Sequence, residues 1–215
     1  MVLMLKGQAD ILSAVIIIVI AVGLVGTAYV WGIPLIQKQQ DTALVERVES
    51  YFRGDSDNSL EKKIISVATN GGEATFSEDV SGLWQLMPNS TATVDNNSIY
   101  FNFFARVSNI ATLPAGQWVS LNGVPCPPQT GLIGEDPYAL CARADSAANG
   151  FNIIYKIQFR PLQSGTQGYE IFLLQHPAGV LSSTSKTLRI QRGSSYTTSA
   201  NGQNLIITEV KILLG

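Results

Sequence analysis

The sequence is short of charge, histidine and cysteine, and each shortage removes a class of function. Charged residues are 14 % of the 215, against roughly a quarter in ordinary globular chains. The 14 Lys and Arg and 16 Asp and Glu give a net charge of −2 with no basic block, so the electrostatic footprint of a nucleic-acid binder is missing. The lone histidine, His176, sits in Gln175-His176-Pro177 and reads as a solvent-facing turn residue at a strand end. Gly-x-Ser-x-Gly, a phosphate-binding glycine loop and His-Glu-x-x-His are all missing. The acidic pairs Glu78-Asp79 and Glu135-Asp136 fall in loop-like stretches and read as solvated residues, not as a glycosidase pair. The expectation is a protein that is not an enzyme and uses no cofactor and no metal. Its only cysteines, Cys126 and Cys141, cannot form a structural zinc site alone. In an exported domain they read as a disulfide, worth about 3 kcal/mol in the chain-entropy model; two buried free thiols are the alternative.

What the chain does have is one long apolar run. From Ile11 to Gln37 there are 27 residues without a charged side chain, preceded by Lys6 as the only basic residue. About 20 apolar residues cross a bilayer as a helix. A cleavable secretory signal has a core of about 7–15 apolar residues followed by a small-residue cut site. Here the run is longer and no such site follows it, so the segment is expected to be retained. Tyr29 and Trp31 stand where an aromatic belt would mark a membrane interface. Helical patterning continues from Gln37 to Arg53, with Leu44, Val48 and Tyr51/Phe52 on one face and Glu46, Arg47 and Glu49 on the other. Pro34 is expected to kink or loosen this helix, and the stretch Gly54-Asp55-Ser56-Asp57-Asn58-Ser59 to end it.

Beyond that point the period shortens to 2. Lys63–Thr69, the turn Asn70-Gly71-Gly72 and Glu73–Phe76 read as a hairpin, and Thr91–Val94 with Ser98–Val107 as a second. Ile99, Phe101, Phe103, Ala105 and Val107 fall on one face of their strand; Phe151, Ile153, Tyr155, Ile157 and Phe159 do the same in theirs. Tyr169–Leu174, Lys186–Gln191 and Leu205–Leu214 complete seven or eight strands. The fold class expected is α+β: a long N-terminal hydrophobic α-helix (8–53) followed by an all-β, Ig-like β-sandwich head (54–215). Asn89-Ser90-Thr91 and Asn96-Asn97-Ser98 fit the N-glycosylation pattern.

Lys6, Gly7, then polar Gln8-Ala9-Asp10, then the aliphatic run resemble the class III signal peptide of archaeal type IV pilins and archaellins. The resemblance covers about residues 5 to 36 and implies a membrane peptidase cutting between Gly7 and Gln8, so that 1–7 is a leader. Lys6 and Gly7 would match the recognition site and Asp10 the early acidic position; Leu12 stands where many members carry Glu. It also implies a subunit inserted in the membrane before assembly and afterwards polymerised with copies of itself into a surface filament. In that core Val15 to Ile20 would pack against neighbours, Ile18 among them, while Ala14, Ala21, Gly23 and Gly26 allow close approach. The other reading is a membrane-anchored extracellular β-sandwich that binds a partner, or an accessory pilin.

Overall fold

The structure is a computed structural model that describes the backbone of residues 3–54, 58–110, 114, 117–200 and 203–215, with side chains from 12 onward except at 200 and 203. The expected leader, with Lys6 and Gly7, and the positions Gln8 and Asp10 therefore lie outside the described side chains. Asp55, Ser56 and Asp57, in the stretch expected to end the first helix, lie outside the described residues.

The chain divides into two compact units, Met1–Asp41 and Thr42–Gly215. Helix α1 (Leu3–Phe52) starts in the first and ends in the second. It continues through Pro34. Proline removes one backbone donor and crowds one turn, and the hydrogen-bonded turns on either side keep the helix assignment unbroken.

The second unit adds α2 (Leu60–Asn70) and twelve strands among the described residues. The first six are β1 (Glu73–Ser77), β2 (Leu83–Met87), β3 (Ser98–Ala105), β4 (Val119–Ser120), β5 (Gly131–Leu132) and β6 (Tyr138–Ala147). The rest are β7 (Gly150–Phe159), β8 (Leu162–Ser164), β9 (Gln167–Gln175), β10 (Ser182–Ser183), β11 (Thr187–Ala200) and β12 (Gln203–Leu214). They form two six-stranded sheets, in the orders β1-β11-β12-β9-β8-β5 and β10-β2-β3-β7-β6-β4. Most pairs are antiparallel; β12 with β9 and β5 with β8 are parallel. A long apolar helix followed by a β-sandwich region is thus the architecture.

Strict alternation builds the core. Ile99, Phe101, Phe103 and Ala105 of β3 and Ile153, Tyr155, Ile157 and Phe159 of β7 are buried, as their period predicts. Ile171, Leu173, Leu188, Ile190, Val210 and Ile212 of the other sheet belong to the same cluster. So do Val45, Val48 and Phe52 from the last turns of α1, which is why this unit begins at Thr42, twelve residues before the head boundary expected at 54.

Three strand assignments differ from the sequence reading. Lys63–Thr69 is part of helix α2, because Leu60, Ile64, Val67 and Ala68 recur at helical spacing and all four are buried. The Asn70-Gly71-Gly72 triplet closes that helix, with Gly71 and Gly72 at φ +82° and +84°, and makes no hairpin turn. Thr91–Val94 forms turns, and the antiparallel partners of β3 are β2 and β7. Tyr138–Ala147, which the sequence pattern does not mark as a strand, is the long strand β6.

Candidate functional site

Four features of the molecule invite a functional reading: the bare apolar helix, the setting of its last turns, the outer face of one sheet, and the two acceptor triplets.

From Leu12 to Ile36 every side chain of α1 except Gly32 is exposed, including Ala14, Ile18, Ala21, Gly23 and Gly26. Ile18 leaves 61 % of its surface bare. A Cβ built on Gly23 or Gly26 would meet nothing within 4 Å. Thr27 Oγ1 donates within the helix to the carbonyls of Gly23 (2.7 Å) and Leu24 (3.0 Å). Its hydroxyl is thereby satisfied without water. The segment is the one helix long and apolar enough to cross a membrane among the described residues, judged by length and composition.

The last turns of α1 are locked into an aromatic core. Phe52 stacks on Tyr155 at 5.2 Å and on Trp84 at 5.9 Å, and Tyr51 meets Phe76 edge-on at 5.7 Å. Arg47 pairs with Asp79 at 2.5 Å, and the Tyr51 hydroxyl donates to the same carboxylate at 2.6 Å. Tyr51, with Arg47 beside it, holds the Asp79 carboxyl below the usual range. Burial and the Asp79 charge push the Tyr51 hydroxyl up to about 12. Glu78, read from the sequence as a solvated loop acid, is instead buried, with Trp84 Nε1 donating to its Oε1 at 2.7 Å and no partner for Oε2. Burial pushes its pKa up to about 8, against the pull of the Trp84 hydrogen bond and the Lys186 charge. Adjacency to Asp79 hides this in the sequence; only the fold brings Trp84 over it.

The outer face of the β4–β6–β7–β3 sheet is covered by the segment carrying Trp118 and the cysteines. Cys126 and Cys141 form a disulfide, and Val124, Ala139 and Trp118 pack around it. Lys156, fully buried, lies with Nζ 4.5 Å from the Trp118 ring centre, 2.9 Å from Asp95 and 3.1 Å from Gln158 Oε1. Arg143 approaches the same ring at 4.9 Å. Two residues beyond Gln158, Arg160 donates to the Asp136 and Gln129 carbonyls and to Glu135, fixing the loop before β6. A cleft of about 490 Å³ lies there, lined by Asn122, Val124, Glu135, Asp136 and Arg160. Strand parity alone would put Lys156, Gln158 and Arg160 in solvent; no local signal announces the cover.

His176 is the turn residue expected: its Nδ1 accepts from the Ala178 N–H at 3.1 Å. It borders a small cleft of about 170 Å³ with Glu73 and Arg189. Among the described residues, no group of three or more His, Cys, Asp or Glu is gathered as a metal cluster.

The two acceptor triplets differ. Asn89 is in a turn closed by the Thr91 N–H on the Pro88 carbonyl at 2.9 Å, and both Asn89 and Thr91 are partly exposed. In the second triplet Ser98 is buried and its hydroxyl donates to the Asp95 carbonyl. Asn97, between Asn96 and Ser98, bridges to the other sheet through Ile171 O and Leu173 N, both at 2.7 Å. Asn96 itself reaches the Asn89 carbonyl at 3.4 Å.

Compared with protein-family models, with curated proteins and with solved structures, the chain finds no match.

Proposed function

We propose that this chain is a structural subunit of an archaeal type IV pilus-like surface filament, serving adhesion or motility. The observation that carries the reading is the exposed aliphatic surface from Leu12 to Ile36 on the same helix whose last turns, Val45 to Phe52, are core residues of the β-rich head. Left in water, such a surface is strongly unfavourable, since each large aliphatic side chain gains about 1.5–3 kcal/mol on burial. Lipid satisfies it before assembly, and a bundle of identical helices satisfies it afterwards. Ala14, Ala21, Gly23 and Gly26 then set how close the helices come, and Ile18 fills the space between them. Anchoring Phe52 between aromatic rings ties the last turns of α1 into the core of the head. The partners are copies of the chain, the membrane before assembly, a prepilin-type peptidase cutting between Gly7 and Gln8, and an assembly machinery; the head faces outside, where Asn89 is open to a glycan.

An anchored binding module is the second reading, and the polar cleft around Asn122, Glu135, Asp136 and Arg160 is what favours it. Determining the N-terminal residue of protein taken from the cell surface separates the two. Gln8 at the N-terminus supports the filament subunit, and retention of Met1 sinks it in favour of the anchored module.

A further inference from the structure

The outer face of the β3–β7–β6 sheet is covered over only part of its length. Residues of one parity on each strand fill the core, and those of the other parity face outward in cross-strand rows. Tyr100, Lys156 and Cys141 form the row beneath Trp118, and all three are buried. The next row is Asn102, Ile154 and Arg143, and the one after it Phe104, Asn152 and Asp145. No residue of these two rows is buried, and Phe104 leaves 50 % of its surface bare. Its ring lies against the β6–β7 turn, since a Cβ on Gly150 would fall 2.8 Å from the Phe104 Cζ. On the other side Arg143 meets the Trp118 ring 4.9 Å from its centre, so the covering segment ends as a wall beside the open rows. Around the exposed ring the polar groups are unspent. The side-chain amides of Asn102 and Asn152 make no hydrogen bond among the described residues. Arg143 reaches Asp145 Oδ2 through Nε at 3.1 Å and Nη2 at 3.0 Å, which leaves Asp145 Oδ1 to accept and Arg143 Nη1 to donate.

We infer that this shelf binds a neutral glycan, with Phe104 as the stacking platform and Asn102, Asn152 and the Arg143–Asp145 pair as partners for sugar hydroxyls. A pyranose has a face of C–H bonds and a rim of hydroxyls. The face packs on the π-surface of an aromatic ring, and the rim needs donors and acceptors that are not already engaged. Each amide supplies both, and a carboxylate beside a guanidinium offers acceptor and donor together, as two adjacent hydroxyls require. One positive and one negative side chain, paired with each other, are the charges in these rows, so they select no net charge in the ligand. The floor is open, which suits a polymer lying across the sheet; a small molecule needs a pocket that buries most of its surface. A protein partner would need an apolar centre to bury, and beside Phe104 the two rows hold one other apolar side chain, Ile154. The site lies wholly in the head, so it stands or falls separately from the filament reading.

The test uses the full chain in lauryldimethylamine oxide micelles, a detergent without a sugar headgroup. Retention is measured on immobilised dextran, mannan and galactan, with the polyanion alginate for comparison, at low and high NaCl. The expected result is saturable binding to at least one of the three neutral polymers, insensitive to salt and released by its free oligosaccharide. Phe104→Ala and Asn152→Ala should each weaken this binding about tenfold or more. Phe104→Trp, and Leu132→Ala in the opposite sheet, should bind like the parent. Because Phe104 and Asn152 are both exposed, their variants should unfold at the parent's temperature; should Phe104→Ala fold poorly, Asn152→Ala carries the test. No retention on any of the three neutral polymers would overturn the proposal, as would retention on alginate alone that salt abolishes. Neutral-glycan binding that survives unchanged in Phe104→Ala and Asn152→Ala would also overturn it. So would dimerisation of the parent that Phe104→Ala abolishes without any glycan retention, which would assign this face to a second copy of the chain.

Discussion

Replacing Glu78 by Gln should flatten the pH dependence of the head's stability. Glu78 is 7 % exposed, and one carboxylate oxygen has no partner. Burial raises its pKa from the ordinary 4.5 to about 8. Between those values the folded chain keeps a proton that the unfolded chain has released, so unfolding releases a proton and is favoured as pH rises. The stability associated with the protonated form is fully present below pH 4.5 and is lost progressively up to about pH 8. At about 1.4 kcal/mol per pKa unit, the full displacement corresponds to on the order of 5 kcal/mol. That is a large share of the ~5–15 kcal/mol that holds a typical domain folded. Glu170, which burial raises to about 7, adds a smaller loss of the same sign. Gln at 78 keeps an oxygen to accept from Trp84 Nε1 and carries no charge. Guanidinium unfolding of the detergent-solubilised chain, read by tryptophan fluorescence from pH 5 to pH 8.5, measures the effect. The parent's midpoint should fall steadily over this range, and that of Glu78→Gln should fall by much less, the two being close at pH 5. A parent more stable at pH 8.5 than at pH 5, or a variant with the parent's full slope, would refute the reasoning.

Other substitutions probe the remaining features. Phe52→Ala removes the ring stacked on Tyr155 and Trp84 and should destabilise the head by about 3–5 kcal/mol, measured as a lower denaturant midpoint at unchanged slope. Changing Cys126 and Cys141 together to Ser reopens a loop of 15 residues and should cost about 3 kcal/mol, seen as a lower unfolding temperature under non-reducing conditions. Peptide mass spectrometry of protein from the native surface should find glycan at Asn89 and bare Asn96, because the Ser98 hydroxyl that completes the second triplet is buried and bonded to the Asp95 carbonyl; glycan at Asn96 would contradict this.

Elements with a clean period could be read from the chain. The uncharged run from Ile11, and the alternating strands around Phe101, Tyr155, Ile171 and Val210, lie where the pattern puts them. Helix α2 was hidden because Lys63–Thr69 is rich in β-branched residues and holds Ile64 and Val67 but not Leu60, the residue that completes the helical stripe. Strand β6 was hidden because Tyr138, Leu140, Ala142 and Ala144 alternate with Ala139, Cys141 and Arg143, and small or apolar residues on both faces erase the period. Both faces are covered there, the inner by the core and the outer by the disulfide and Trp118. The buried polar groups were invisible for a related reason. Glu61, Glu78 and Lys156 look like surface residues in any local window, and their burial comes from Gly54, Trp84 and Trp118, each brought in by the fold.

The filament reading rests on what covers the aliphatic face of α1, and one measurement addresses it directly. Cells producing the parent chain, and cells producing Ile18→Asp, are sheared, and the released material is imaged by negative-stain electron microscopy. The parent should yield filaments that contain this chain. Ile18→Asp should yield none, while its head, extracted from the membrane, unfolds at the parent's temperature. Filaments of normal appearance from Ile18→Asp, or abundant parent protein in sheared material without filaments, would contradict the account.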